Sequence, residues 1–420
     1  MFSRRTQWDA SSNTLTEILE ARRASGRRVI DLTVSNPTRC GFTYPEERVL
    51  RALSGRESLA YRPDPHGLLP AREAIAEYYR TRGIDVSPDD LFITASTSES
   101  YSLLFRLLCN PEDSVVLPTP AYPLFEYLAG VNDVRTEYYR LVHSDRWRID
   151  PASLSKAMVR SAKAVLVVDP NNPTGMFLSG DERKEVAAAA SGRGAALIVD
   201  EVFCEYRFNL TPGPGMTDPP PRPGAVTPAS GAYQSDGLTF LLNGLSKMAA
   251  MPQMKIGWIA IGGEPSLRSA ARSKLEILND IYLSANTPAM AALPELLDAG
   301  IGVRAEIVER ISANFTRLKQ LLDGVAGCSV LPAEGGWNAV VRLPGGIGDG
   351  ECAEGLLDEA GVYCYPGYFF NFEEEDVVVV SLLPRQEVFT EGVTEMAGWI
   401  ASAGGMDGAP GTGGPVGERS

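Results

Sequence analysis

The sequence predicts an α/β fold: a large domain with a mostly parallel sheet flanked by helices, and a smaller α+β domain built from the two chain ends. Three observations predict it. Short apolar runs rich in Val, Ile and Leu recur at residues 91–95, 114–117, 164–169, 195–200, 238–242 and 256–261, and several are apolar almost throughout, as strands covered on both faces are. Helical patterns alternate with these runs, as crossover connections require. The last third breaks the alternation: long helical patterns at 264–283 and 288–322 lead to three shorter strand candidates, 338–343, 362–365 and 377–382.

In chain order, residues 13–23 are polar and helix-compatible, and the apolar run 29–34 ends in Ser35-Asn36-Pro37-Thr38-Arg39. From Tyr61 the chain reads YRPDPHGLLPAREAIAEYY, a Pro/Gly turn feeding an amphipathic helix around 71–79. Thr94 to Ser100 follows a strand run and opens a helix over 101–108. Residues 211–231 carry too much Pro and Gly for a regular element and read as a long surface loop. The Gly-rich stretch 404–420 reads as a disordered tail. The expected division is therefore 1–45 as an N-terminal segment joining the small domain, 46–295 as the large domain carrying the 211–231 loop, 296–403 as the small domain, and 404–420 as the tail.

Composition narrows the function. The chain has 420 residues, 44% of them hydrophobic and 22% charged, which is ordinary for a globular protein of about two to three domains. A formal net charge of -14 argues against nucleic acid or an anionic membrane as partner, since both select basic surfaces. The six cysteines form no CxxC pair, and neither a secretory leader nor an apolar run of membrane-spanning length is present. A reducing cytoplasm is the expected location, and with two histidines in the chain no metal site is expected.

In parallel α/β sheets the polar residues at the carboxyl ends of strands line the ligand crevice. That rule collects Ser96, Thr97 and Ser98, the stretch 169–175, Asp200, and Ser246-Lys247. Lys247 follows an apolar strand run and is followed by small and apolar residues, a setting that desolvates an amine and shifts it toward its nucleophilic, neutral form. A Schiff-base lysine needs that form.

The ordered set Asp169-Pro170-Asn171-Asn172-Pro173-Thr174-Gly175, Ile198-Val199-Asp200-Glu201 and Ser246-Lys247 resembles the fold-type I pyridoxal-phosphate enzymes of the class I/II aminotransferase family, from about residue 29 to 400. The resemblance implies a seven-stranded large-domain sheet, pyridoxal 5'-phosphate as cofactor, amino acid and 2-oxo acid substrates, and a homodimer with shared active sites. Residue by residue, it implies that Lys247 holds the cofactor and shuttles the proton, that Asp200 pairs with the ring nitrogen, and that Asn172 donates to the ring's phenolate oxygen. Ser96, Thr97 and Ser98, at the opening of a helix, become phosphate donors, Ser246 a further cofactor contact, Tyr122 the aromatic stacked on the ring, and Tyr61 the tyrosine that reaches the neighbouring subunit's phosphate.

Four departures from the family pattern limit what carries over. Lys255 stands eight residues after Lys247, where the family usually has a phosphate-pairing arginine; an ammonium still binds phosphate but lacks the bidentate fork. Phe203 replaces a common tyrosine and its hydroxyl bond to the phenolate oxygen. Aligning Ser381 to the family's Arg-x-Ser-Phe pattern puts Val379 where the substrate carboxylate's arginine normally sits. Ser35 replaces a glycine near that same carboxylate site. Arg39 and Arg385 are the nearest basic substitutes by sequence, and Arg39 is the favoured one. Trp337-Asn338 is expected at a small-domain loop near the substrate, and the aromatic run 365–370 at the site mouth suggests an apolar or small substrate side chain. Two rivals stay open: a lyase acting by beta-elimination on the same cofactor, and a non-catalytic binding or regulatory protein that retains the fold.

Overall fold

The computed structural model describes residues 2–8, 13–209, 235–283 and 285–404; the predicted loop at 211–231 and the predicted tail from 405 onward lie outside them. In chain order the strands are β1 (Ile30–Asp31), β2 (Leu91–Thr94), β3 (Ser114–Thr119), β4 (Arg135–His143), β5 (Trp147–Ile149), β6 (Ala162–Val168), β7 (Ala196–Asp200), β8 (Leu238–Gly244), β9 (Gly257–Gly263), β10 (Ser329–Val330), β11 (Asn338–Arg342), β12 (Val362–Tyr363), β13 (Tyr365–Pro366) and β14 (Val377–Ser381). The large sheet has the order β2-β9-β8-β7-β6-β3-β4-β5. Parallel pairing joins β4, β3, β6, β7 and β8. β9 runs antiparallel to both its neighbours, and β5 antiparallel to β4.

The expected seven strands are thus present, and a three-residue eighth, β5, closes the edge as a hairpin with β4. β4 had no counterpart among the six apolar runs. Its sequence RTEYYRLVH is largely exposed, with Tyr139 and Leu141 its buried residues, so it carries the polar side chains of a strand near a sheet edge.

Alternate residues of the central strands serve two cores. Val165, Val167, Leu197 and Val199 join one apolar cluster, while Ala164, Leu166, Val168, Ala196 and Ile198 join another. Both faces are covered, which is why these strands read as unbroken apolar runs. The helices follow their own signals, Thr14–Ala24 included, although its Leu15 and Leu19 pack in a third apolar cluster that none of these strands joins. Thr14–Ala24 starts at Asn13, whose side chain accepts from the Thr16 amide, and Leu69–Thr81 buries Ala71, Ile75 and Tyr79 at helical spacing. Thr287–Leu322 runs 36 residues from an Asn286 cap.

A second sheet, β10-β11-β14-β13, is antiparallel, and β1 pairs parallel with β12. The Ser381 amide donates to Leu32 O at 2.6 Å and its hydroxyl to Val34 O at 2.5 Å, which ties the segment ending in Ser35 to the end of β14. The predicted strand at 362–365 is split between β12 and β13. The last helix, Gln386–Gly404, reaches one residue into the predicted tail. Among the described residues no helix is long and apolar enough to cross a membrane.

Candidate active site

The carboxyl ends of β6, β7 and β8 lie side by side. The Asp169 amide donates to Asp200 O, and the Glu201 amide to Leu242 O, each at 2.9 Å. β8 ends at Gly244, where any Cβ would stand 2.7 Å from Ile256 O. The four-residue helix Leu245–Met248 follows and carries Lys247. The Lys247 Nζ stands 5.0 Å from the centre of the Trp337 ring and 5.8 Å from that of Phe203. Burial against these rings pulls the Lys247 pKa down to about 8, and the negative charge of Asp200 opposes the shift.

Asp200 is itself buried. Its Oδ2 accepts from the Tyr101 hydroxyl at 2.6 Å and its Oδ1 from the Val202 amide at 3.0 Å. Loss of water raises its pKa, against the pull of those two donors and of Lys247. Tyr101 was not among the residues the sequence suggested. It sits in Thr97–Leu108, the helix predicted to open at the phosphate donors, yet a buried tyrosine on an apolar helix face gives no sign of which strand end it meets.

The 169–175 turn is fixed by its own side chains. The Asn171 Oδ1 accepts from the Thr174 hydroxyl at 2.8 Å, and Asp169 pairs with Arg183 at 2.7 Å in the protein interior. Gly175, at φ +69°, has no room for a Cβ, which would lie 2.3 Å from Gly335 O. That close approach brings the 335–338 segment over the site. There the Asn338 Nδ2 donates to Asn172 Oδ1 at 2.7 Å; among the described residues the Asn172 amide N–H groups have no acceptor and could meet a ligand. The sequence placed Trp337-Asn338 near the substrate but not the bond to Asn172; the pairing of β11 with β14 sets Asn338 against Ser381.

Ser96 caps Thr97–Leu108: its Oγ accepts from the Glu99 amide at 3.2 Å, and Glu99 Oε2 in turn accepts from the Ala95 amide at 2.7 Å. Part of the Ser96 hydroxyl's capacity therefore serves the helix, while helix geometry leaves the Thr97 and Ser98 amides without intrahelical acceptors. Gly257 packs directly on this turn, since a Cβ there would meet Ser96 C at 2.8 Å and Thr97 N at 2.9 Å. Lys255, two residues earlier, is exposed in a left-handed conformation, and Ser246 is half-buried.

Val379 has no exposure and faces Val340 and Tyr365 across the second sheet; the expected loss of a cation there is a closed apolar contact. Ser35 and Arg39 are exposed, and among the described residues Arg39 makes no ion pair. The Arg385 guanidinium lies across Gly41, where a Cβ would come within 2.5 Å of it. Tyr61 is 76% and Tyr122 45% exposed. The chain thus brings Lys247, Asp200, Phe203 and Trp337 together, and Asn172 is linked to them through Asn338, the neighbour of Trp337. Among the described residues it gives Arg39, Ser35, Arg385, Tyr61 and Tyr122 no hydrogen bond, ion pair or ring contact with Lys247 or Asp200.

The family profile described as "Aminotransferase class I and II" matches residues 27–387. Over 383 residues the chain is 24% identical to the glutamate-pyruvate aminotransferase AlaA of Haemophilus influenzae, spanning 90% of this chain and 91% of that one. Over 256 residues it is 28% identical to the S-alkyl-thiohydroximate lyase SUR1 of Arabidopsis thaliana, spanning 60% and 52% respectively. An alanine aminotransferase structure from Pyrococcus furiosus matches with a TM-score of 0.83 at 23% identity, over 96% of this chain and all (100%) of that one, a likeness of fold.

Proposed function

The chain belongs to the aminotransferase class I and II family, and from that premise we propose that it moves an amino group from an amino acid to a 2-oxo acid by a ping-pong route, using pyridoxal 5'-phosphate. The observation that carries this reading is the pair at the strand ends: the Lys247 amine between the Trp337 and Phe203 rings and the buried Asp200 carboxylate held by Tyr101. The residues fit the cofactor. Asp200 is a buried acid with one phenol and one amide as donors and with burial opposing its charge, so a cationic ring nitrogen completes its environment. When bound, the cofactor supplies an electron sink for the charge left at the substrate's α-carbon.

The chain's own groups do the rest. Lys247 Nζ is the nucleophile that holds the cofactor and, once released, the base that takes the proton from the substrate's α-carbon. Asn172 would hold the ring's phenolate oxygen through its free amide N–H, and Phe203 contributes no hydroxyl there. Thr97 and Ser98 amides, with Ser96, Ser246 and Lys255, would hold the phosphate at the helix N-terminus. Tyr122 would cover the ring. Trp337, its ring centre 5.0 Å from the Lys247 amine, would limit the water around it.

Arg39 is the residue we assign to the substrate carboxylate, with Arg385 as its alternative. Its support is that Val379 is sealed in an apolar contact, that Arg39 has no acid partner among the described residues, and that the preceding segment is tied to Ser381. The large domain at 46–295 and the small domain built from 1–45 and 296–403 are supported by the β1–β12 pairing, which joins the two ends of the chain. A cytoplasmic homodimer with shared sites is supported by the exposed Tyr61 and by the exposed apolar residues Ile277, Ile281 and Leu283, with all six cysteines free.

A lyase acting by beta-elimination is the second reading, favoured by the SUR1 match. A half-reaction screen separates the two. Conversion of the cofactor absorbance to the pyridoxamine form by an amino acid alone supports transfer; release of pyruvate and ammonia without any oxo acid supports elimination.

A further inference from the structure

Three carbonyls in the four-residue stretch 247–250 receive donors from distant parts of the chain. The Tyr206 hydroxyl donates to Lys247 O at 2.5 Å, Arg304 Nη1 to Met248 O at 3.2 Å, and the Tyr44 hydroxyl to Ala250 O at 2.6 Å. The turn needs such support. Its helix is four residues long, so its last carbonyls lack the partners a longer helix would give. The Ala250 amide reaches back to Lys247 O at 2.9 Å, and Ala250 itself is left-handed at φ +55°.

Tyr206 differs from the other two donors in what else it touches. Its ring packs edge-on against Trp337, centre to centre 5.0 Å, and against Phe203 at 6.5 Å, the same two rings that flank the Lys247 amine. Its backbone is equally fixed: Tyr206 O accepts from the Gly336 amide at 2.8 Å, and a Cβ on Gly335 would stand 2.2 Å from that oxygen. One fully buried side chain thus grips the main chain of the lysine and both walls of its cage.

We propose that Tyr206 is a positioning residue, whose hydroxyl, acting through the Lys247 carbonyl, fixes the height at which the Lys247 amine stands between the Trp337 and Phe203 rings. The inference rests on the reading of Lys247 as the reactive amine. Burial holds the Tyr206 hydroxyl protonated, with Arg304, Glu205, Tyr44 and Cys204 around it, so it remains a donor across the working pH range. The acid facing the amine itself is Asp200, at the end of β7. Without the hydroxyl the turn loosens, more water reaches the half-buried lysine, and its proton affinity returns toward that of an ordinary lysine.

The test is Tyr206→Phe in the full chain, which keeps the ring and removes the oxygen. Lys247 in the cofactor-free protein is labelled with acetic anhydride across a pH series and quantified on its peptide by mass spectrometry. The expected result is a labelling midpoint raised by about half a pH unit or more, which is a roughly threefold smaller free-amine fraction at neutral pH. Tyr44→Phe, which touches neither ring, is expected to shift the midpoint less. A folded Tyr206→Phe with the wild-type midpoint overturns the proposal. Tyr206→Met is the second variant; failure of both to fold would assign the hydroxyl to stability alone and also overturn it. Wild-type protein in which reduction attaches no cofactor to Lys247 would instead defeat the imine reading, a result separate from the labelling comparison.

Discussion

A lysine amine kept between two aromatic rings costs the folded chain stability wherever the unfolded chain would hold its proton. The folded amine titrates at about 8 and an unfolded lysine at about 10.4, so the penalty is complete below pH 8 and fades as pH rises toward 10.4, where the unfolded chain gives up its proton too. Cofactor-free Lys247→Met is therefore expected to be more stable than wild type at pH 7, by on the order of 1–3 kcal/mol, with the gain shrinking toward pH 10. Urea unfolding at both pH values checks it; an equal difference at both would contradict it. Asp200 obeys the same logic with the opposite charge. Burial disfavours its ionised form, so Asp200→Asn should leave the cofactor-free protein no less heat-stable at pH 7 while sharply weakening cofactor retention in equilibrium dialysis. Phe203→Tyr should lower the pH midpoint of the bound cofactor's absorbance change, because a second neutral donor would reach the phenolate oxygen. Equal midpoints would show that Asn172 is sufficient.

At the scale of elements, the strand ends were the most legible part of the site. Asp200, Lys247 and the 169–175 turn lie at the carboxyl ends of strands covered on both faces, and such strands announce themselves as unbroken apolar runs. β4 was not legible, because its largely exposed residues break the run. Tyr101 and Tyr206 were not legible either, nor was the partner of Asn338, since each of these contacts reaches 99, 41 or 166 residues along the chain. Val379 shows what register adds to a sequence departure. The missing arginine was visible in the sequence, but the closed contact with Val340 and Tyr365 shows that the position cannot simply take the cation back. Val379→Arg would bury an unpaired charge and is expected to destabilise the fold by at least about 3 kcal/mol. A variant of wild-type stability that also gains amino-acid affinity would mean the position is open to substrate. Arg39→Ala should raise the KM for the amino donor about tenfold or more, the loss of one charge-assisted contact, with a smaller change in kcat; an unchanged KM would pass the role to Arg385.

For the whole molecule, the single chain leaves two kinds of surface unfinished. Tyr61, 76% exposed, has no hydrogen bond or ring contact among the described residues, and Ile277 and Ile281, each about two-thirds exposed at one helical turn's spacing, face outward from Pro265–Tyr282. A second copy accounts for both if that helix packs at a subunit interface and Tyr61 reaches the partner's phosphate donors. Replacing Ile277 and Ile281 together by Glu should shift the protein to monomer in sedimentation velocity and lower cofactor affinity in step, and a monomer that keeps full affinity would show that the sites are not shared. The central claim is simpler than any of these: one amine, that of Lys247, carries the cofactor. Wild-type protein incubated with pyridoxal 5'-phosphate, reduced with borohydride and digested should yield one modified peptide, with the added mass on Lys247, and Lys247→Ala should yield none. Modification at another lysine, or no fixed mass at all, would contradict the account.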